Sequence, residues 1–330
     1  MSLLNPYELI VHSKNFLYDK GMIDLVKADV PVISIGNLTT GGTGKTPMIL
    51  FIIDLVLRKN PDLKILVISK SYKGTLRTPA PVNLEESHCF RKFGDEPVLI
   101  QRLRPDVQVW CGPIKSETLQ RVLNYKKERR IDFDLILVDD GFSHRKIHRD
   151  LNIVLFDVSR DLNHYKILPF GHLRESLDEI KRGDLFILAK SNSAQNQTIQ
   201  FITEKLNALG KWKIHAEFDS ELVIDSPLND IVLISGIGHP QQLETALRSK
   251  GFQILHHQQY VDHAEYSIQE QKNILQLVQK YPSAILCTTE KDFVKITNPD
   301  LLKVLKVIKL KIKIDKKEED DMYEKIRTLF

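Results

Sequence analysis

The sequence predicts an α/β protein: a sheet of parallel strands alternating with helices, followed by a second, smaller α/β domain. Three observations predict it. An apolar, β-branched run (Val32, Ile33, Ile35) passes into a glycine-rich loop ending in Gly44-Lys45-Thr46, and then into an apolar helical pattern from Met48 to Leu57. Further apolar runs at 64–70, 107–111, 134–139, 153–156 and 185–188 alternate with helix-period segments, as parallel strands joined by crossover helices do. After a short, alternating, polar stretch at 211–223, a second strand–helix series opens at 231–234 and runs through 284–287. Strand, glycine-rich loop and helix together make a P-loop, so residues 1–210 read as a P-loop NTPase-type core. Residues 211–330 read as a short β linker and a second α/β domain that closes over a cleft between the two.

Composition agrees with this size and class. The 330 residues, 42% apolar and 27% charged, suffice for two domains with proper cores. A net charge of +4 suits a surface that meets phosphate or an anionic membrane. Cys89, Cys111 and Cys287 lie far apart with no C-x-x-C pair, which suggests a reducing compartment and argues against a disulfide framework or a zinc site. No window carries the 18 or more apolar residues of a membrane-spanning helix, and no signal peptide is visible. The reading is of a cytosolic chain.

Taken in order, the chain opens with a helix over about 5–20. Asn5 can cap it, Pro6 suits its first position and Glu8 completes a capping box. Tyr7, Ile10, Val11, Leu17 and Tyr18 share one face, while Leu9 and Phe16 lie opposite, more apolar surface than one docking face requires. Two readings stand: a helix packed on its own domain, or one resting in a membrane interface beside Lys14 and Lys20.

The loop Thr39-Thr40-Gly41-Gly42-Thr43-Gly44-Lys45-Thr46 follows. Its glycines let backbone N–H groups curl round phosphate oxygens, and the next helix points its positive end at the same oxygens. Lys45 can reach the β- and γ-phosphates, and the Thr46 hydroxyl can ligate Mg²⁺. Thr39 stands where the usual P-loop pattern has its first glycine. The loop predicts nucleoside triphosphate binding.

Four apolar residues (135–138) then deliver Asp139-Asp140 to a strand end, a Walker B arrangement in which either acid can hold Mg²⁺ or its water shell. Arg145, Lys146, Arg149 and Arg174 follow downstream as solvated charge or, for some of them, phosphate clamps. Asp95 sits in Gly94-Asp95-Glu96-Pro97, a composition usual for turns, and His263 is a lone loop histidine. His144 and His148 are four apart but have no third ligand in view, which argues against zinc. Near the end Ile308, Leu310, Ile312 and Ile314 alternate with lysines, predicting a half-buried edge strand with a solvated lysine face. Met322, Ile326, Leu329 and Phe330 close the chain on an amphipathic helix.

Several segments together resemble one family, the tetraacyldisaccharide 4′-kinases of lipid A synthesis. They are Val30 to Pro47, Gly94 to Pro97, Asp139-Asp140-Gly-Phe-Ser-His144, Arg149 to Asp157, Leu168-Pro-Phe-Gly-His-Leu-Arg174-Glu175, Ser235-Gly-Ile-Gly-His-Pro240, Asp262-His263 and Thr288-Thr-Glu-Lys-Asp292. They run in the family's order through nearly the whole chain, and the family also lacks the first P-loop glycine. The resemblance implies ATP and Mg²⁺ as cofactors, a lipid disaccharide 1-phosphate as acceptor and lipid IVA as product. It implies no nucleic acid and no obligate protein partner, with the enzyme peripheral on the cytoplasmic face of the inner membrane. It matches Lys45 and Thr46 to nucleotide and Mg²⁺ residues, and Asp139 and Asp140 to the Walker B pair. Asp95 matches the carboxylate that activates the sugar hydroxyl, His263 its partner from the second domain, Glu96 another site acid and Arg174 a site arginine. The chain departs from the pattern at Lys70, Lys115, Ser143 and Ala264, where Arg, Arg, Gln and His are usual.

Two other classes are weighed. One is a P-loop kinase of another sugar or lipid alcohol. The other is an NTP-driven switch or metal-insertion protein. Thr40 stands where deviant Walker loops carry a lysine, and Ala189-Lys190-Ser191-Asn192 lacks the Asn and Asp of a guanine-binding motif. Both count against the switch. No basic stripe with interleaved aromatics supports a nucleic-acid-dependent ATPase.

Overall fold

The computed structural model describes residues 6–128, 130–222 and 229–330. In chain order the elements are α1 (Pro6–Asp19), β1 (Val32–Asn37), α2 (Lys45–Lys59), β2 (Ile65–Lys70), β3 (Ala80–Pro81), α3 (Cys89–Phe93), α4 (Asp95–Leu103), β4 (Gln108–Gly112), α5 (Lys115–Lys127) and β5 (Leu135–Asp139). There follow β6 (Leu151–Asp157), β7 (Leu185–Ala189), α6 (Asn196–Ala208), β8 (Trp212–Glu221), β9 (Asp230–Ser235), α7 (Pro240–Arg248), β10 (Gln253–Gln259), α8 (Ile268–Lys280), β11 (Ile285–Thr289), α9 (Glu290–Phe293), α10 (Pro299–Val304), β12 (Lys306–Ile314) and α11 (Lys316–Arg327).

The described strands form one sheet in the order β10-β9-β11-β12-β8-β7-β6-β1-β5-β2-β4-β3. Pairing is parallel except between β8 and β12 and between β3 and β4. The parallel strands explain their near-continuous apolar sequence: β1, β5 and β6 are buried along their whole length because helices cover both faces. The chain leaves β1 toward β2 and leaves its neighbour β6 toward β7 on the opposite side, so a crevice opens at their C-terminal ends, where the P-loop lies. The first helix after it, α2, buries Met48, Ile49, Ile52, Ile53, Leu55 and Val56 completely. Met322, Tyr323 and Ile326 of α11 belong to the same core, and Asn60 Nδ2 donates to Tyr323 Oη at 2.9 Å. The end of the chain thus returns to the helix that carries the P-loop.

Four readings of the sequence need correction. The stretch read as a linker contains β8, a ten-residue strand paired with β7 on one side and β12 on the other. Its alternation reflects one covered and one wet face, which a strand at a sheet junction also shows. β12 is more than an edge strand: its first residues pair with β11 and the rest with β8, so it joins the two halves of the sheet, while its lysine face is solvated as expected. Its lysines are matched by acids of β8, with Lys313 Nζ 2.9 Å from Asp219 and Lys311 Nζ 2.5 Å from Glu221. Gly94-Asp95-Glu96-Pro97 is the start of α4, with both acids in the first turn, where the positive end of the helix favours them. The docked face of α1 is Tyr7, Val11, Asn15 and Tyr18, whereas Ile10 and Leu17 stay exposed with Leu9 and Phe16. Polar anchors set that orientation: Asn15 Nδ2 donates to Glu175 at 2.9 Å, and Arg145 donates to the Asn15 carbonyl at 3.0 Å. Asn5, Arg129 and Val223 lie outside the described residues, and with them the expected N-terminal cap.

Candidate active site

The P-loop is held from below by Asn37, the last residue of β1. It is fully buried, donates Nδ2 to the Thr39 carbonyl and hydroxyl at 2.9 and 3.0 Å, and accepts through Oδ1 from Lys45 at 3.1 Å and from Arg174 at 2.7 Å. Thr39 bridges to Leu173, and Thr40 donates its N–H to the His172 carbonyl at 2.8 Å. This pairing gives the loop a second wall without its first glycine. Gly41 (φ +97°) and Gly42 face open space, so their backbone is free to meet a ligand. Gly44 has φ +89°, and a Cβ there would lie 2.1 Å from the Phe218 ring. Only glycine fits. Thr43 and Thr46 are buried.

The Walker B acids differ sharply. Asp139 accepts from Ser69 Oγ at 2.7 Å through Oδ2, while its buried Oδ1 has no partner. Burial pushes its carboxyl up, against the pull of Lys115 and Ser69. Asp140 adopts φ 47°, which turns it out of the strand line. Arg174 holds both its oxygens, at 2.9 and 2.8 Å, and Lys45 stands 3.6 Å away. Burial alone would raise its carboxyl, but Lys45 and Arg174 hold it well below the usual range. Lys115, at the start of α5, is 2% exposed and donates to the Asp140 carbonyl at 2.8 Å. A lysine suits that single contact, since one carbonyl needs no forked donor.

A second cluster faces this one from α4. Gly94, at φ +91°, lets the chain turn tightly past the Tyr72 carbonyl and start the helix. Asp95 is buried and its Oδ2 lies 2.7 Å from Nδ1 of His263, which comes from the loop after β10. Burial opposes ionisation of Asp95, but His263 and Lys291 hold its carboxyl below the usual value. Glu96 is pushed up to about 7, by burial first and then by Asp139. It lies in the combined field of Lys45, Asp139, Asp95 and Lys291, and so links the two clusters.

The structure therefore gathers Lys45, Asp139, Asp140 and Arg174 at one point and Asp95 with His263 at another, with Glu96 feeling both. Other candidates are drawn elsewhere. Arg145 pairs with Asp19 of α1, Arg149 donates to the carbonyls of Gly141 and Phe142, and Lys146 is exposed. His148 faces Asp150 at 3.5 Å, and burial beside Lys115 lowers His144 to about 3. Among the described residues, no three His, Cys, Asp or Glu side chains gather as a metal-binding group. Sequence reasoning passed over Asn37, Ser69, Phe218 and Lys190. Lys190, in the segment inspected for a guanine motif, pairs with Asp157 at 2.6 Å and reaches the Gly42 carbonyl at 3.3 Å. Its place straight after β7, at the same sheet edge as the P-loop, was the available signal.

A family model described as LpxK, tetraacyldisaccharide-1-P 4′-kinase, matches residues 1–330. The chain is 36% identical over 304 residues to a tetraacyldisaccharide 4′-kinase of Bdellovibrio bacteriovorus, covering 88% of this chain and 86% of that one. It is 32% identical over 325 residues to the enzyme of that name from Aquifex aeolicus, covering 95% and 93%. A crystal structure described as an "apo" form of LpxK from Aquifex aeolicus in complex with ATP superposes with a TM-score of 0.76 at 28% identity, covering 98% of this chain and 96% of that one.

Proposed function

The chain belongs to the tetraacyldisaccharide-1-P 4′-kinase family and is an ATP-dependent phosphotransferase, and from this we infer that the residues of the cleft carry out the transfer, with Asp95 as proton acceptor. The reaction places a phosphate on the 4′-hydroxyl of a tetraacyldisaccharide 1-phosphate, a step of lipid A synthesis that yields lipid IVA. The observation that carries the residue assignment is the 2.7 Å contact between Asp95 and His263, supplied from opposite sides of the cleft.

The chemistry follows from the geometry. As the sugar oxygen bonds to the γ-phosphorus, the bond from that phosphorus to the β,γ-bridging oxygen breaks and its electron pair leaves with ADP. The hydroxyl proton passes to Asp95, which is ionised and free to accept it beforehand because His263 and Lys291 favour the charged form of its carboxyl. The Gly41–Thr46 backbone cradles the triphosphate, and Lys45 offsets its charge. Arg174, with its fork on Asp140 and Asn37, holds the loop and Walker B strand in one register.

Mg²⁺ is the cation this donor set suits. The orphaned Asp139 Oδ1 and the Thr46 hydroxyl are hard oxygen donors, and Mg²⁺ takes one or two carboxylates with the rest from phosphates and water. An ion held there would offset the negative charge of the triphosphate. In this reading the loop after β10 and α9, which carry His263 and Lys291, form the closing side of the cleft, and closure shuts water out around the Asp95–His263 pair.

No helix among the described residues is long and apolar enough to cross a membrane. The exposed Leu9, Ile10, Phe16 and Leu17 of α1 support a helix lying in the interface, on the cytoplasmic face where ATP is available. The test is transfer of labelled γ-phosphate from ATP to the lipid disaccharide in detergent micelles. Lipid-dependent labelling is expected, and nucleotide binding without transfer to this lipid would overturn the assignment.

A further inference from the structure

Lys291, in the Thr288-Thr-Glu-Lys-Asp292 segment, has entered so far only as a charge that favours the ionised Asp95, yet it also touches the histidine of the reacting pair. Its Nζ lies 3.3 Å from His263 Nε2, 3.2 Å from Asp262 Oδ1 and 4.0 Å from Asp95 Oδ2. It enters on α9, where the Thr289 side chain accepts from the Asp292 N–H and so fixes the first turn. Behind it Asp292 accepts from the Gly236 N–H at 3.0 Å and pairs with Lys295 at 3.1 Å. Gly236 in turn accepts the N–H of His263, whose backbone is held at φ 65°. The lysine and the histidine are thus positioned by one rigid assembly.

The proton positions follow from these contacts. An ammonium can only donate, so His263 Nε2 must accept, and a ring that accepts at Nε2 carries its proton on Nδ1. Nδ1 then donates to Asp95 Oδ2. The competing arrangement is a doubly protonated ring. Its Nε2–H would turn toward Asp262, whose Oδ2 is 3.8 Å away, and would meet the Lys291 charge head on. Lys291 occupies Asp262 instead, at the other carboxylate oxygen.

We propose that Lys291 is a positioning residue that holds His263 as the neutral Nδ1–H tautomer, so that the Nδ1–H aims the Asp95 carboxylate at the sugar hydroxyl while leaving it more basic than an imidazolium partner would. This rests on the reading of Asp95 as proton acceptor. The surroundings are consistent. Facing the ring are Asp95 from α4, Asp262 from its own loop, Lys291 from α9 with the Asp292–Lys295 pair behind, and the edge of Tyr72, from the loop after β2, at 5.5 Å; Glu96 lies in the field of Asp95 and Lys291, and Glu265 is further along the loop. Arg91 already pairs with Glu265 at 3.1 Å, leaving Asp262 as the carboxylate that would welcome an imidazolium. Burial works against the Lys291 charge, but Asp95, Asp262 and Glu96 outweigh it and hold the ammonium above the ordinary lysine range.

The test uses the full-length enzyme with selectively ¹⁵N-labelled histidine, and pH profiles of transfer to the lipid. In the wild type the His263 signals should report a proton on Nδ1 and a bare Nε2 at neutral pH. In Lys291→Met the ring nitrogens should no longer report a fixed Nδ1–H tautomer, and the acid limb of the kcat/KM profile should move up by about one pH unit, because Lys291 helps to hold the Asp95 carboxyl low. Lys291→Arg should restore the limb, and adding Asp262→Asn to Lys291→Met should move it back. A wild-type ring protonated on Nε2 would overturn the proposal even if no variant folds. So would an acid limb left in place by Lys291→Met despite lower turnover. The ¹⁵N readout needs no turnover, so it stands or falls separately from the acceptor role of Asp95.

Discussion

Arg174 grips Asp140 with both arms of its guanidinium, at 2.9 and 2.8 Å, while one arm also reaches Asn37 Oδ1 at 2.7 Å. One side chain thereby ties the strand that feeds the P-loop to the strand that ends in the Walker B acids. Arg174→Lys keeps the charge and loses the fork. The loss of a charge-assisted hydrogen bond, about 1.5–3 kcal/mol, predicts transfer roughly 10- to 100-fold slower. Steady-state kinetics of the variant check this, and near-normal turnover would show that the fork is dispensable.

The contact between Gly44 and Phe218 makes a steric prediction. Gly44→Ala places a methyl group 2.1 Å from the ring and demands a left-handed backbone of a residue with a Cβ. ATP affinity should fall steeply. Adding Phe218→Ala removes the clash but leaves the backbone cost, about 1–2 kcal/mol, so rescue should be partial. Calorimetric titration of nucleotide into both variants reads this directly.

Glu96 gives a pH prediction. Its carboxyl lies near 7 in the folded protein, against about 4.5 in the unfolded chain. Between those values the folded state holds the proton and the unfolded state has lost it, so this group's contribution to stability falls as pH rises through that window. Glu96→Gln removes the penalty. Its Tm relative to wild type should therefore rise between pH 5 and pH 8, as thermal scans at several pH values would reveal.

The outer face of α1 predicts membrane attachment. Ile10→Glu with Phe16→Glu introduces charge at two exposed positions, so folding and ATP affinity should be unchanged. Sedimentation with anionic vesicles should drop sharply. Equal sedimentation of wild type and variant would remove the helix from the account.

Much of this was legible in the sequence because its signals were local. The P-loop and Walker B patterns each lie within one strand and the turn after it, so Lys45, Asp139 and Asp140 could be named from spacing alone. Asp95 and His263 could not. They are 168 positions apart, and each sits in a segment of ordinary composition; only the resemblance to a family joined them. Asn37 was hidden by reading β1 as merely apolar, although a buried amide at a strand end has to find partners. The position of β12 was obscured because alternation reports one wet face and says nothing of neighbours on either edge. The docked face of α1 was misjudged because a polar residue, Asn15, anchors it.

The central claim is that Asp95 accepts the proton of the sugar hydroxyl, and Asp95→Asn tests it with little change in shape. Single-turnover transfer of labelled phosphate from ATP to the lipid disaccharide should slow by about 10²- to 10⁴-fold, the usual worth of a general base. ATP affinity should stay close to wild type. A variant that binds ATP and transfers phosphate at nearly the wild-type rate would contradict the account and move the acceptor role to another group.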